Sequence, residues 1–311
     1  MIRHLVLPLL CLAALFALGC DESLEPGSRV DSFRVLAEQA DPTYAQPGEG
    51  VHLSSLSYDP EGRPITWAWA RCLNPTQNGL AGCMAQIGAS ADPASSLLGL
   101  GEGFDAVDFE VPLDALTNLP DAARAAANVG IVSVACPAEL TFAPEQAAIG
   151  QAFDCRDKQS GRSLRLEEFS LGFKRISIRS HDRNDNPAIS SVTFDSNEWP
   201  ADDIKEVGSC DTSGFDYTAC SDREKHQLAV AVTPESFERG TDELGRDFSE
   251  ALIVQYFATE GIFEDEIRVA ESPTNGWVAR RAASGRTLTL WFVVRDDRGG
   301  VAWTERRVHV R

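Results

Sequence analysis

Six cysteines carry most of the chemistry available beyond the first 20 residues: Cys72, Cys83, Cys136, Cys155, Cys210 and Cys220. An even number suits an oxidised framework, and six thiols admit about fifteen connectivities. Joining neighbours in sequence, Cys72 to Cys83, Cys136 to Cys155 and Cys210 to Cys220, closes three short loops. Each such closure contributes about 3 kcal/mol by restricting the unfolded chain. Zinc is the competing chemistry, but no pair has C-x-x-C spacing and histidine is scarce. His52, His226 and His309 lie in or beside strand-like segments and read as surface side chains; His181 is the fourth histidine past the N-terminal segment. No H-E-x-x-H, G-x-S-x-G, phosphate loop or dinucleotide fingerprint occurs. Carboxylates are abundant, and a hydrolase would need two of them brought together from loops, a geometry that spacing does not encode. The expectation is a non-catalytic protein without a resident cofactor, and a hydrolase using loop carboxylates is the weaker alternative.

The N-terminus has a different chemistry. Arg3 gives one firm positive charge, and Leu5 to Leu18 carry none. As a helix this run spans about 21 Å, short of the roughly 30 Å of a hydrocarbon core. A positive start, a short apolar core and small residues at its end make an export signal. Its last residues, Phe16-Ala17-Leu18-Gly19-Cys20, give way at once to the polar stretch Asp21 to Pro26. That ending resembles the lipobox of bacterial lipoproteins, in which a small residue precedes an invariant Cys. Ala17 stands where Leu is usual in that family. The resemblance implies cleavage before Cys20, a diacylglyceryl group on its sulfur and an acyl chain on its amine. Each buried methylene would add about 0.8 kcal/mol to membrane attachment. The implied location is the cell envelope, lipid-anchored to the inner or outer membrane of a bacterium, with the remainder outside the cytoplasm. Asp21 is similar to an inner-membrane retention signal of enteric bacteria, a rule that does not carry to all bacteria.

Residues 1–19 hold one Arg and no acid, so the remainder sets 27 Lys and Arg against 47 Asp and Glu, a net charge of −20. Such a surface repels phosphate and excludes nucleic acid as a natural partner. A membrane reached through the lipid, and a protein or glycan partner, are the partners expected.

A polar cluster, Ser180 to Ile189, holds Asp182, Asn184, Asp185 and Asn186 ahead of Pro187. The run Asp182-x-Asn184-Asp185-Asn186 resembles the D-x-N-D-N linker of cadherin repeats, although Pro187 follows one residue early. The resemblance implies Ca²⁺ between two domains, since Ca²⁺ takes six to eight hard oxygens. Asp59 and Glu61 are the further ligands considered. The same residues also make an Asx-rich turn without metal. An EF-hand is rejected, because Pro187 and Thr193 stand where Gly and Glu are required.

The elements that must position these groups read as strands. Phe33 to Ala37, Val51 to Tyr58 and Ile65 to Arg71 come first, with turns at Pro47-Gly48 and Asp59 to Pro64. Period two puts Trp67 and Trp69 on one face, opposite small Ala68 and Ala70. Asp59, Pro60, Glu61, Gly62, Ile65, Trp67 and Trp69 match a run shared by bacterial immunoglobulin-like and PKD-type modules, which this segment resembles. Phe104 to Val111 and Gly130 to Cys136 fit further strands, with a short helix near residues 119–130. Gly172 to Ile178 closes the first half, with a bulge expected between Phe173 and Ile176. In the second half Gln227 to Val232, Ala251 to Phe257 and Asp265 to Val269 read as strands, and Leu288, Leu290, Phe292 and Val294 alternate before a turn at Asp296 to Gly300. Residues 72–103, 137–167 and 196–225 read as long loops. The fold class expected is therefore all-β, with two tandem immunoglobulin-like sandwiches. The boundaries are 1–19 signal peptide, 20–32 tether, 33–184 first domain and 185–311 second domain, the leading function being a non-catalytic envelope lipoprotein for binding or spacing. The alternative is a Ca²⁺-dependent adhesion module.

Overall fold

In a computed structural model describing residues 25–75, 79–143, 146, 152–181, 183–212, 214–241 and 246–311, the alternating segments form strands and the protein is all-β. The first half contains β1 (Arg34–Asp41), β2 (Tyr44–Ala45), β3 (Gly50–Tyr58), β4 (Thr66–Leu73), β5 (Leu97–Glu102), β6 (Ala106–Glu110), β7 (Asn128–Cys136), β8 (Glu139–Phe142), β9 (Phe153–Arg156) and β10 (Ser170–Ile178). One sheet is ordered β1-β3-β6, and the sheet facing it is ordered β2-β10-β7-β4-β5. All these pairs are antiparallel except β2 with β10. Between the sheets lie Leu53, Trp67, Trp69, Ile131, Ile176 and Ile178. Trp67 and Trp69 stack at 5.5 Å, and the indole N–H of Trp69 donates to the Phe104 carbonyl at 2.6 Å. That bond removes the desolvation cost of burying the indole N–H.

The second half contains β11 (Ile189–Phe194), β12 (Asn197–Glu198), β13 (Ile204–Val207), β14 (His226–Val232), β15 (Arg239–Thr241), β16 (Asp247–Ser249), β17 (Ile253–Ala258), β18 (Ile262–Phe263), β19 (Ile267–Val269), β20 (Thr274–Val278), β21 (Thr287–Arg295) and β22 (Val301–Val310). Its sheets, β12-β11-β14-β20-β18 and β13-β22-β21-β17-β19, repeat the scheme of the first half. In both halves a short strand joins the last strand in parallel, β2 on β10 and β13 on β22. Each half is thus a sandwich of immunoglobulin-like order. Trp199, Tyr256, Trp277 and Phe292 fill the second core.

The three disulfides join Cys72 to Cys83, Cys136 to Cys155 and Cys210 to Cys220. The long loops are more structured than their composition suggests. Residues 80–89 form a helix, α1 (Leu80–Ala89), that buries Cys83, Met84 and Ile87. Gly130 lies beneath this staple, where a Cβ would meet Cys72 Sγ at 2.6 Å. β8 and β9 pair as a hairpin within residues 137–167, and Trp199 and Val207, from the supposed loop 196–225, enter the second core. The bulge expected between Phe173 and Ile176 is absent: β10 pairs with β7 in unbroken register from Ser170 to Ser177. The parity slip has another cause. Phe173 packs on the outer face with Cys72 and Cys83, while Ile176 and Ile178 face the core.

The two sandwiches meet along an apolar seam. Leu288, Leu290, Phe292 and Val294 of β21 face their own core, whereas Trp291 and Val293 point outward. These outward residues are covered by the first half: Leu36 packs with Trp291, and Ala37 with Val293 and Val301. A register shift between Val35 and Ala37 puts consecutive residues of β1 on the seam, which is what a bulge does. Tyr58 lies 4.9 Å from the Trp291 ring. Trp291 is 3% exposed and Val293 0%. At about 1.5–3 kcal/mol per fully buried large apolar side chain, this contact holds the halves as one body.

Residues 28–30, within the stretch read as a tether, are bonded to the second half. Ala258 N donates to Ser28 O at 2.9 Å and Val30 N to Ala258 O at 2.8 Å. Val30 then enters the seam beside Leu36 and Trp291.

Trp291→Ala should destabilise the protein by about 3–5 kcal/mol, as large aromatic truncations do, and lower the melting of both halves. Differential scanning calorimetry checks this; a transition unchanged in one half contradicts the packed seam.

Candidate functional site at the seam

The linker cluster is where the two halves are cross-bonded. Asn186 spends its amide across the seam: Nδ2 donates to Ala40 O at 2.8 Å, and Oδ1 accepts from Val301 N at 2.9 Å. Asn184 is fully buried and donates Nδ2 to Asp296 Oδ2 at 3.0 Å. Asp185 contributes its backbone N–H, which donates to Glu238 Oε1 at 3.0 Å. Arg183 reaches back to the first half, donating to Tyr44 O and pairing with Glu49, both at 2.9 Å. Asp182 lies outside the described residues.

The turn after β21 receives this linker. Asp296 Oδ1 accepts from Arg298 N at 2.8 Å and Gly300 N at 2.7 Å, closing the Asp296–Gly300 turn. A Cβ at Gly300 would collide with the Asp296 carboxylate. Arg298 supplies the cation: it donates to Glu238 Oε2 at 3.0 Å and Glu250 Oε1 at 3.2 Å. Its guanidinium sits over the Phe248 ring at 4.3 Å and the Tyr44 ring at 5.0 Å, so aromatic faces from both halves hold it. Burial, followed by repulsion from Asp296 and Glu238, pushes the Glu250 carboxyl up to about 7.

Beside this hub a cleft of about 340 Å³ opens between β1, β10 and the Asp296–Gly300 turn. Lys174 spans it, donating to Gly299 O at 2.8 Å and Glu38 O at 3.3 Å. Burial draws Lys174 down to about 8 and raises Glu38, which accepts a bond from Ser133 Oγ. Arg295 donates to Gln255 Oε1 at 2.6 Å and to Leu36 O at 2.8 Å. These cations are spent on carbonyl and amide oxygens, so their first effect is to lock the edge of the seam.

The structure brings Asn184, Asp185 and Asn186 together and separates them from Asp59 and Glu61. Asp59 lies beyond the opposite end of β3, where it is bidentate to Arg63 at 2.7 and 2.9 Å. Neither it nor Glu61 reaches the linker. As a Ca²⁺ cage the remaining residues offer Asn184 Oδ1, a buried acceptor without a partner among the described residues, and the exposed Asp185 carboxylate. Among the described residues no three Asp, Glu, His or Cys side chains converge as a metal group. Sequence reasoning missed Glu38, Lys174, Glu238, Glu250, Arg295 and Arg298. Arg298 was visible within Asp296 to Gly300, but its partners are far away in sequence.

No known family matches the chain, nor does any curated protein. Among solved structures, it is similar to a nucleoside hydrolase-related hypothetical protein from Saccharophagus degradans associated with carbohydrate metabolism, at 11% identity and a TM-score of 0.26, over 43% of this chain and 28% of that one. It is also similar to dimeric latent PorU from Porphyromonas gingivalis, at 11% identity and a TM-score of 0.21, over 90% of this chain and 24% of that one. The D0-D1 domain of intimin matches at 9% identity and a TM-score of 0.21, over 88% of this chain and 98% of that one. The chain spans about a quarter of the length of the first two structures.

Glu250 gives a pH test. Its carboxyl titrates higher folded than unfolded, so protonation favours the fold: the contribution is complete below about pH 4.5 and is lost as pH rises through about 7. Glu250→Gln should therefore raise the melting temperature at pH 8 and flatten its dependence between pH 5 and 8. Thermal scans across that range check it, and an undiminished slope contradicts the assignment.

Proposed function

We propose that this protein is a non-catalytic cell-envelope lipoprotein, anchored through Cys20, whose paired sandwiches present loops to a protein or glycan partner or act as a spacer. The three closed disulfides carry the reading, since such bonds persist in exported proteins and are rare in the cytosol. The apolar leader and the lipobox-like ending at Cys20 supply the anchor, and the rigid seam suits presentation at a fixed geometry. No helix among the described residues is long and apolar enough to cross a membrane.

Intact-mass measurement of the envelope-extracted protein tests this. The expected species begins at Cys20, carries acyl chains and retains three disulfides. A species that keeps Met1, or one with an unmodified Cys20, overturns the reading.

A Ca²⁺-dependent adhesion module is the second reading, favoured by one observation: Asn184 Oδ1 is buried without a partner among the described residues. Asn184 and Asp185, with Asp182, would supply the linker oxygens, and the ion would stiffen the seam. Calorimetric titration of the ectodomain, with melting in millimolar Ca²⁺ against EDTA, decides it. Heat of binding and a raised melting point support the ion; no change in either removes it.

A further inference from the structure

The seam has two ends, and the chain enters at one of them. β1 runs from Arg34, beside the docked residues 28–30, to the Asn186 hub at Ala40. Six residues of strand separate these ends by about 20 Å. At the entry end Arg29 is held by Glu25 and lies 3.5 Å from Glu260. Glu260 is bonded in turn to Arg280 at 2.7 Å. The Phe215 ring lies 4.1 Å from the Arg280 guanidinium and 5.6 Å from that of Arg29. Phe215 belongs to the Cys210–Cys220 loop, and Cys210 bridges Arg280. That stapled loop therefore sits against the entry segment. At the other end lie the Asp296–Gly300 turn, the β15–β16 hairpin and Pro234 to Ser236, which bonds Ala188. α1 belongs to this end too: β3 finishes at the entry end, so β4 starts there and runs away from it toward the helix.

We infer that the docked N-terminal segment fixes how the protein stands on a lipid bilayer. The Cys210–Cys220 loop faces the membrane, and the linker hub, the β15–β16 hairpin and α1 face away. The inference rests on the proposed lipidation of Cys20. Five peptide units separate Cys20 from Glu25 and reach at most about 18 Å, less than the length of the seam. Docking of residues 28–30 on β17 prevents this tether from lengthening without breaking backbone hydrogen bonds. At the entry end the acids are largely paired with base, Glu25 with Arg29, Glu264 with Arg268 and Asp222 with Lys225, so the lipid together with the short reach holds this end at the surface.

Energy transfer on the full-length lipidated protein, reconstituted into phosphatidylethanolamine–phosphatidylglycerol vesicles with a headgroup acceptor, tests the orientation. A bioorthogonal fluorophore is placed at Asp222, whose side chain is fully exposed, or at exposed Glu235. Transfer from Asp222 should be at least about twofold that from Glu235, since transfer falls steeply across a seam of about 20 Å. Equal or reversed efficiencies overturn the orientation. Inserting about twenty Gly and Ser residues before Glu25 should erase the difference, because such a linker spans several times the original reach; a difference that survives the insertion also overturns it. Vesicle flotation, with Cys20→Ser as control, is read separately. Failure of the unaltered protein to float defeats the lipid anchor itself, whereas flotation with equal transfer defeats the orientation alone.

Discussion

Trp291 and Val293 point away from the core to which their own strand belongs, and the rest of the structure follows from what covers them. Left in water, β21 and β22 would show a flat apolar stripe, the kind of surface that binds other chains indiscriminately. Leu36, Ala37, Leu56 and Tyr58 cover it instead, from the outer face of the β1-β3-β6 sheet. Four sheets therefore stack in sequence, and neither sandwich is a bead on a string. The register shift in β1 is the local device that makes this work, since a regular strand would show the seam only every second residue.

Polar chemistry then collects at the rims of this contact, where water can reach. At one rim the linker asparagines, Asp296 and Arg298 satisfy backbone groups from both halves. At the other, buried Glu260 and Arg280 and the half-buried Arg29 form an ion triad roofed by Phe215. Charges in such places are expensive unless every partner is present. They therefore tie the apolar contact to one register. The resemblance of the linker to an ion-binding sequence is carried by residue types that here are partly spent on protein donors. Asn residues are suited to both tasks, having one acceptor and one double donor in a short side chain.

The local pattern was legible and the pairing of distant surfaces was not. Alternation placed Trp67, Trp69, Leu288, Leu290, Phe292 and Val294 in their cores, and three short cysteine spacings anticipated three staples. Trp199 escaped notice because a lone aromatic in a polar stretch has no period. α1 escaped because Gly79 and Gly82 flank and interrupt a helix whose stability comes from Cys83, Met84 and Ile87 packing beneath the disulfide. The seam did leave a trace. Leu288 to Val294 is apolar at nearly every position past Thr289, the mark of a strand buried on both faces. Even so, the trace names no partner strand. Glu38, Lys174 and Arg295 had no signal at all, since their meeting depends on how two sheets dock.

Val30 and Ala258 are bonded across 228 residues. Such a closure is among the last events available to a folding chain, because loop entropy must be spent before the contact rewards it. Until β17 and β21 exist, Leu36, Leu56 and Tyr58 have nothing to cover them.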